Sequence, residues 1–186
     1  MSVPATVDRA AAIRSAVVRL VARQGFHGTS MAAIAREAGV GTGTAYVHYE
    51  SKDDLVLATY VEVKEDLGRA ATRDLRPGDT ESTFRQLWFR VHDHLADDPD
   101  RARFLLQVDT SPYAHEAHSR SMDESGDGLL DAAAAAGMME RFAPLPLLVI
   151  FDLALGPAIR LVASGERLDA RSMETLCDAC WRAVTV

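Results

Sequence analysis

The thirty residues from Phe26 to Leu55, FHGTSMAAIAREAGVGTGTAYVHYESKDDL, constrain the fold of this chain more than any other stretch. Ser30 supplies a hydroxyl that accepts a backbone N–H at a helix start, and Met31, Ile34, Ala35 and Ala38 then recur at helical spacing. Gly39 ends that helix and Val40 packs into the angle. A second short helix opens at Gly41 or Thr42 and carries Thr44, Tyr46, Val47 and His48. Ser51 caps a third, with Asp54 three positions on at capping-box spacing and Lys52 in the first turn. Helix, glycine-containing turn and helix over so short a span is the layout of a helix-turn-helix, whose second helix enters the major groove of DNA.

The flanking sequence supports an all-α chain of about nine helices. From Val7 to Gln24, Ile13, Ala16, Val17, Leu20 and Val21 repeat at three and four, and Gly25 stands at the expected left-handed cap. The apolar face of this first helix is expected to meet Phe26, Ile34 and Val40, with Phe26 and Tyr49 in the same small core. A fourth helix runs from Ser51 to about Leu75, and Arg76-Pro77-Gly78-Asp79 breaks it. Phe84, Leu87, Trp88, Val91 and Leu95 form the stripe of a fifth. Asp98-Pro99 and Ser111-Pro112 each give an N-cap with proline at N1, opening a sixth and a seventh helix, the latter running to Gly137. Leu145 to Ala163 is apolar at nearly every position, and Asp169 caps a last helix striped by Met173, Leu176, Cys177, Cys180, Trp181 and Val184. Two helices needing cover on more than one face predict a homodimer through residues 145–185, as a four-helix bundle about a two-fold axis.

Charge is distributed unevenly along the chain. The 186 residues carry a net charge of -7, which argues against coating nucleic acid through overall charge. Residues 1–52 hold six Lys/Arg against three Asp/Glu, leaving 14 against 24 for the rest, so the basic balance is confined to the segment with the helix-turn-helix. No apolar run is expected to reach the roughly 18 residues of a membrane span, and no signal pattern opens the chain. With two cysteines, a reducing cytoplasm and no membrane partner are expected.

Several patterns that suggest chemistry have a plainer reading. Gly39 to Thr44, GVGTGT, resembles a dinucleotide-binding loop, but it follows a helical segment where that motif needs a strand. Of His92, His94, His115 and His118 at most three can converge, because His92 and His94 point different ways on a helix, so no metal is expected. Cys177 and Cys180 have redox spacing yet lie inside an apolar stripe, which favours core packing. With no GxSxG, HExxH or phosphate loop, neither catalysis nor a cofactor is expected.

The order and spacing of Gly25-Phe26, Thr29-Ser30, Ile34-Ala35, Ala38-Gly39-Val40, Gly43-Thr44, Tyr46, His48-Tyr49 and Ser51-Lys52-x-x-Leu55 resemble the TetR family of bacterial one-component regulators. The likeness covers about the first third of the chain. It implies an all-helical homodimer that represses promoters and releases them when a small-molecule effector binds. The implied division is a DNA-binding domain over 7–62, its helix-turn-helix at about 30–49, and an effector-binding and dimerisation domain over 63–186. The partner would be double-stranded DNA with a palindromic operator. By resemblance Thr44, Tyr46 and Lys52 hold phosphates, and Ser30 and Gly43 belong to the same surface.

The recognition helix itself departs from the commonest chemistry. Between Arg36 and Lys52 there is no Lys or Arg, so no bidentate contact to guanine comes from it. It offers Thr42, Thr44 and His48 for hydrogen bonds and Ala45 and Val47 for thymine methyls. Gly41 stands where family members usually carry serine or threonine, and Ala45 where they carry a larger residue. For the effector, the expected set is Phe84, Trp88, Phe104, Tyr113, Phe142 and Phe151, with His92, Gln107, His115 or Asp109 as orienting polar groups. The same aromatics read equally as hydrophobic core. The competing functional reading is a helical small-molecule-binding protein or enzyme with a vestigial DNA-binding head.

Overall fold

The computed structural model describes residues 8–76, 78–125 and 128–186. Among them are ten α-helices and no strand: α1 Arg9–Gln24, α2 Met31–Glu37, α3 Thr42–His48, α4 Lys52–Thr72, α5 Thr80–Asp97, α6 Pro99–Asp109, α7 Ala114–Ser125, α8 Gly128–Ala135, α9 Leu147–Ser164 and α10 Ala170–Val184. The tenth arises because the expected seventh helix is two, α7 and α8, on either side of residues 126 and 127. Pro77, named in the predicted break, lies outside the described residues, as do residues 1–7.

Local chemistry sets most of the boundaries. Asp8, Ser30, Ser51, Asp79 and Asp169 each accept a backbone N–H from the first turn of the helix they precede. Gly165, at φ 75°, ends α9 in the left-handed conformation that a residue without Cβ adopts freely. Asp98 departs from expectation. Its carboxylate takes no backbone N–H of α6 and lies 3.3 Å from the Arg101 guanidinium instead, because a full positive charge one turn away outcompetes an amide.

The core is continuous from Ile13 in α1 to Val184 in α10. α1, α2 and α3 pack together and against the start of α4, which runs unbroken past residue 62 into the second half of the chain. α1 also lies along α6, and α4 contacts α5, α7 and α8. The α4–α8 crossing is close because Gly68 meets Gly128: a Cβ on Gly68 would come 3.7 Å from the Gly128 Cα. Behind them α9 packs on α5, α6 and α10. The chain end is tied back by Ala143 N–H to the Val184 carbonyl (2.8 Å) and Val186 N–H to the Arg141 carbonyl (3.0 Å).

One apolar run reaches a length that was not expected of any. α9, 18 residues at mean hydropathy 1.9, is long and apolar enough by length and composition to cross a membrane. It packs instead against three helices, while Leu148, Val149 and Leu153 stay exposed.

Candidate functional site

The outer face of α3 is the first part of the site. Helical geometry turns Ala45 fully inward beneath α1 and α2, so it cannot reach a base, contrary to the expectation that it reads thymine methyls. Thr42, Gly43, Tyr46, Val47 and His48 face outward and Thr44 is half-buried. Val47, 82% exposed, stands furthest into solvent. Ser30 is exposed, its Oγ accepting the Ala33 N–H at 3.2 Å. The Val47 side chain, left this open to solvent, contributes nothing to the packing of α3, whose buried residue is Ala45.

Lys52, the residue expected at a phosphate, also has a role within the fold. Its Nζ donates to the Phe26 and Thr29 carbonyls, at 3.0 and 3.3 Å, and so holds the loop between α1 and α2 against the first turn of α4. Sequence reasoning did not find the role of Arg14. Its guanidinium donates to the Tyr49 hydroxyl at 2.7 Å and pairs with Glu62, joining α1, the end of α3 and α4. Those partners lie 35 and 48 positions away, so no local pattern signals them. Arg9, His27 and Arg36 add exposed basic groups to this end of the molecule.

The second part is a slot between α5, α8 and α9. Phe84, Trp88, Phe142 and Phe151 converge there, with Leu129, Leu130, Met138, Leu147 and Ile150 among their neighbours. Every lining residue is apolar, and the one polar atom on the aromatic rings, the Trp88 indole N–H, donates to the Ala154 carbonyl at 3.1 Å. The slot is narrow, with a cavity volume of about 40 Å³. Trp181 packs its ring 5.1 Å from that of Phe84, so both tryptophans sit by the slot rather than at opposite ends of the body.

Other members of the expected effector set are elsewhere. His92 stacks on Trp88 at 6.1 Å and hydrogen-bonds Asp93, without lining the slot. Phe104 is fully buried core. Gln107 reaches the head, where a Cβ on Gly25 would lie 3.6 Å from its Oε1. Tyr113 also faces the head: its ring packs on Phe26 at 5.4 Å and its hydroxyl donates to Asp53 at 2.7 Å, which pushes the phenol pKa up. The physical reason is common to these residues, since helical period says which residues share a face and not which neighbour that face meets.

These contacts form a join between body and head. Tyr113 leads into α7 and holds Asp53, and Arg120 in α7 donates to Asp54 at 3.1 Å, so α7 grips the first turn of α4 directly after Lys52. Between them His118 approaches the Tyr60 hydroxyl at 3.3 Å, and Tyr60 donates to Asp109 at 3.2 Å. Burial is the main cause that raises the Asp109 pKa, against the lowering influence of His118 and Tyr60. His118, Met122, Leu147 and Phe151 also border a groove of about 360 Å³ between α4, α7 and α9. Asp109 and His115 border another of about 370 Å³ beside it.

The remaining candidates are dispersed. Among the described residues no three His, Cys, Asp or Glu side chains approach closely enough to hold a metal. Cys177 and Cys180 are buried free thiols, and burial raises the Cys177 pKa to about 12, which leaves no nucleophilic thiolate at neutral pH.

Residues 13–59 match the family model described as bacterial regulatory proteins, tetR family, and residues 80–185 match a tetracyclin repressor-like C-terminal domain. An HTH-type transcriptional regulator of Haemophilus influenzae is 28% identical, with 97% of each chain covered. A TetR family transcription regulator of Shewanella sp. PV-4 has a crystal structure that superposes with a TM-score of 0.80, at 28% identity over 96% of this chain and 98% of that one. FadR of Bacillus subtilis, solved in complex with stearoyl-CoA, shares the fold at a TM-score of 0.69 and 16% identity, over 91% and 96% of the two chains.

Proposed function

The chain belongs to the TetR family and is a transcriptional regulator with a DNA-binding helix-turn-helix, and on that footing we propose that it is a repressor released from a palindromic operator by a small, largely apolar effector. The observation that carries this reading is the join through α7. α7 borders the groove through His118 and Met122, and the same segment is tied to the first turn of α4 by hydrogen bonds from Tyr113 to Asp53 and from Arg120 to Asp54. An effector that widens the space between α4, α7 and α9 moves α7, and α7 moves the helix that carries the head. In a dimer that displacement changes the separation of two recognition helices, which must match about 34 Å between successive major-groove faces.

In this reading residues 7–62 are the DNA-binding unit and 63–186 the effector and dimer unit, sharing α4. Thr42, Tyr46, Val47 and His48 meet the operator, with Ser30, Gly43 and Thr44 at the backbone. Lys52 acts by holding the α1–α2 loop in place, its remaining N–H within reach of a phosphate. The exposed Val149 and Leu153 on α9, with Met173, Leu176 and Ala179 on α10, form the proposed dimer face. Leu155 does not belong to it, since its side chain borders the slot.

The test is fluorescence anisotropy of the full chain on its own upstream intergenic DNA, with sedimentation in parallel. Saturable binding of a dimer is expected, with a shallow salt dependence because the head carries few cations. Leu176→Arg should give monomers and lose binding together. A native monomer at micromolar concentration, or binding indifferent to sequence, overturns the proposal.

A further inference from the structure

Asp152 and Arg160 are the only charged residues among the 18 of α9. Both are exposed, on the side of the helix that also shows Leu148, Val149 and Leu153 to solvent. They stand two turns apart, about 12 Å along the axis, too far for the two side chains of one helix to meet. Among the described residues neither forms an ion pair within the chain, and the carboxylate that Asp152 acts on, Asp109, carries a like charge.

Gly156 lies midway between them, in the same row of residues four apart. A Cβ there would meet nothing within 4 Å, so the space over this point of the helix is open. Glycine in mid-helix weakens a helix relative to alanine, and no contact inside the chain requires one here. What it permits is the close approach of another backbone. Residues four apart form a ridge inclined to the helix axis, and the ridges of two helices run parallel when the helices cross at about 50°. The ridge Asp152-Gly156-Arg160 is complementary to itself about its midpoint. Laid antiparallel on its own copy, each carboxylate faces a guanidinium at both ends, whereas laid parallel, acid faces acid. That is the symmetry of an isologous interface, in which residue i meets j and j meets i.

We propose that two copies of this chain pair with their α9 helices antiparallel and crossing at Gly156, Asp152 of each bonded to the partner's Arg160. This rests on the reading of α9 and α10 as the dimer face and adds its orientation and register. The pairing also completes a site. Asp152, Gly156 and Arg160 border the groove of about 370 Å³ that Asp109 lines from α6 and His115 from α7. The partner's α9 closes the open side of that groove and sets the partner's Arg160 on its rim, so a molecule held there touches both chains.

The test is sedimentation of the full-length chain and its charge-reversed variants at low ionic strength, with circular dichroism to follow helical content. Asp152→Arg and Arg160→Asp should each weaken the dimer about tenfold or more, because two complementary contacts become two like-charge ones. The chain with both reversals should recover the parental affinity. An equimolar mixture of the two single variants should form heterodimers, since one ridge then carries only guanidinium and the other only carboxylate. Gly156→Leu should weaken the dimer about tenfold or more with helical content retained, because the helices can no longer approach at the crossing point. A doubly reversed chain no tighter than the single variants, or a Gly156→Leu variant that dimerises like the parent, overturns the register. If both single reversals dimerise like the parent while Leu176→Arg still gives monomers, the dimer face stands and this pairing is wrong. A native chain that is monomeric at micromolar concentration removes both and leaves the α9 face to a different partner.

Discussion

The head and the body of this molecule are packed to different standards. Around Ile13, Val17, Ile34, Ala45 and Leu55 the head closes on itself, each of these side chains essentially without solvent contact. The body, with most of the residues, leaves a slot between α5, α8 and α9, grooves on either side of α7, and a run of exposed leucines and valines at the start of α9. A surface that must match the fixed geometry of B-DNA gains from a core with one arrangement. Under the proposed function the body also has to admit a ligand and a partner subunit, and a region with that task gains from a core left incomplete.

The largest expected effect tests that contrast with the same chemistry on each side. Leu55→Ala leaves a void in the closed head and should cost about 4 kcal/mol, whereas Leu129→Ala beside the slot should cost about 2 kcal/mol, because short α8 can settle inward. Urea denaturation followed by circular dichroism measures both. Equal costs would show that head and body are packed alike.

A smaller effect separates the join from the recognition surface. Tyr113→Phe removes one hydrogen bond to Asp53 and should cost about 1 kcal/mol of stability, leave operator affinity nearly intact and blunt release by an effector. Val47→Ala should do the reverse, weakening operator binding about fivefold or more with stability within about 0.5 kcal/mol of the parent. If Tyr113→Phe responds to effector like the parent chain, α7 does not transmit the signal.

Head and body should also differ, more weakly, in their response to pH. In the head, α2 and α4 are capped by serines, which do not titrate, while in the body α5 and α10 are capped by Asp79 and Asp169. Backbone N–H groups of Ser82 and Ser172 hold those carboxylates below their ordinary value of 3.8. The folded state binds the proton less readily than the unfolded one, so the stabilisation is fully present above that value and is lost as pH falls through the lowered one. Hydrogen exchange between pH 5 and about 3 should show α5 and α10 fraying at their N-termini while α2 and α4 hold. Asp169→Asn should remove the pH dependence at α10.

Much of the architecture was legible because its causes are local. A cap at Ser30, Ser51 or Asp169 depends on the residue three positions on, and the glycine cap at Gly165 depends on one residue's backbone freedom. The split of α7 from α8 escaped because Leu129, Leu130 and the alanines after them fit a longer helix as well as a new one. The grouping of the expected aromatic and polar set was legible only in part. Phe84, Trp88 and Phe151 meet at the slot, while Gln107 and Tyr113, equally apt by residue type, turn to the head.

Most of the helices, most of their caps, the helix-turn-helix and the family can be read from the chain alone, since each is written in short spacings or in a short ordered motif. That Ala45 is core, that Lys52 braces a loop and that Tyr113 holds Asp53 from 60 positions away follow from the packing of the helices alone. Contacts between residues so far apart are set by how whole helices settle against one another, and a one-dimensional pattern specifies the face a side chain shares but not the neighbour it meets.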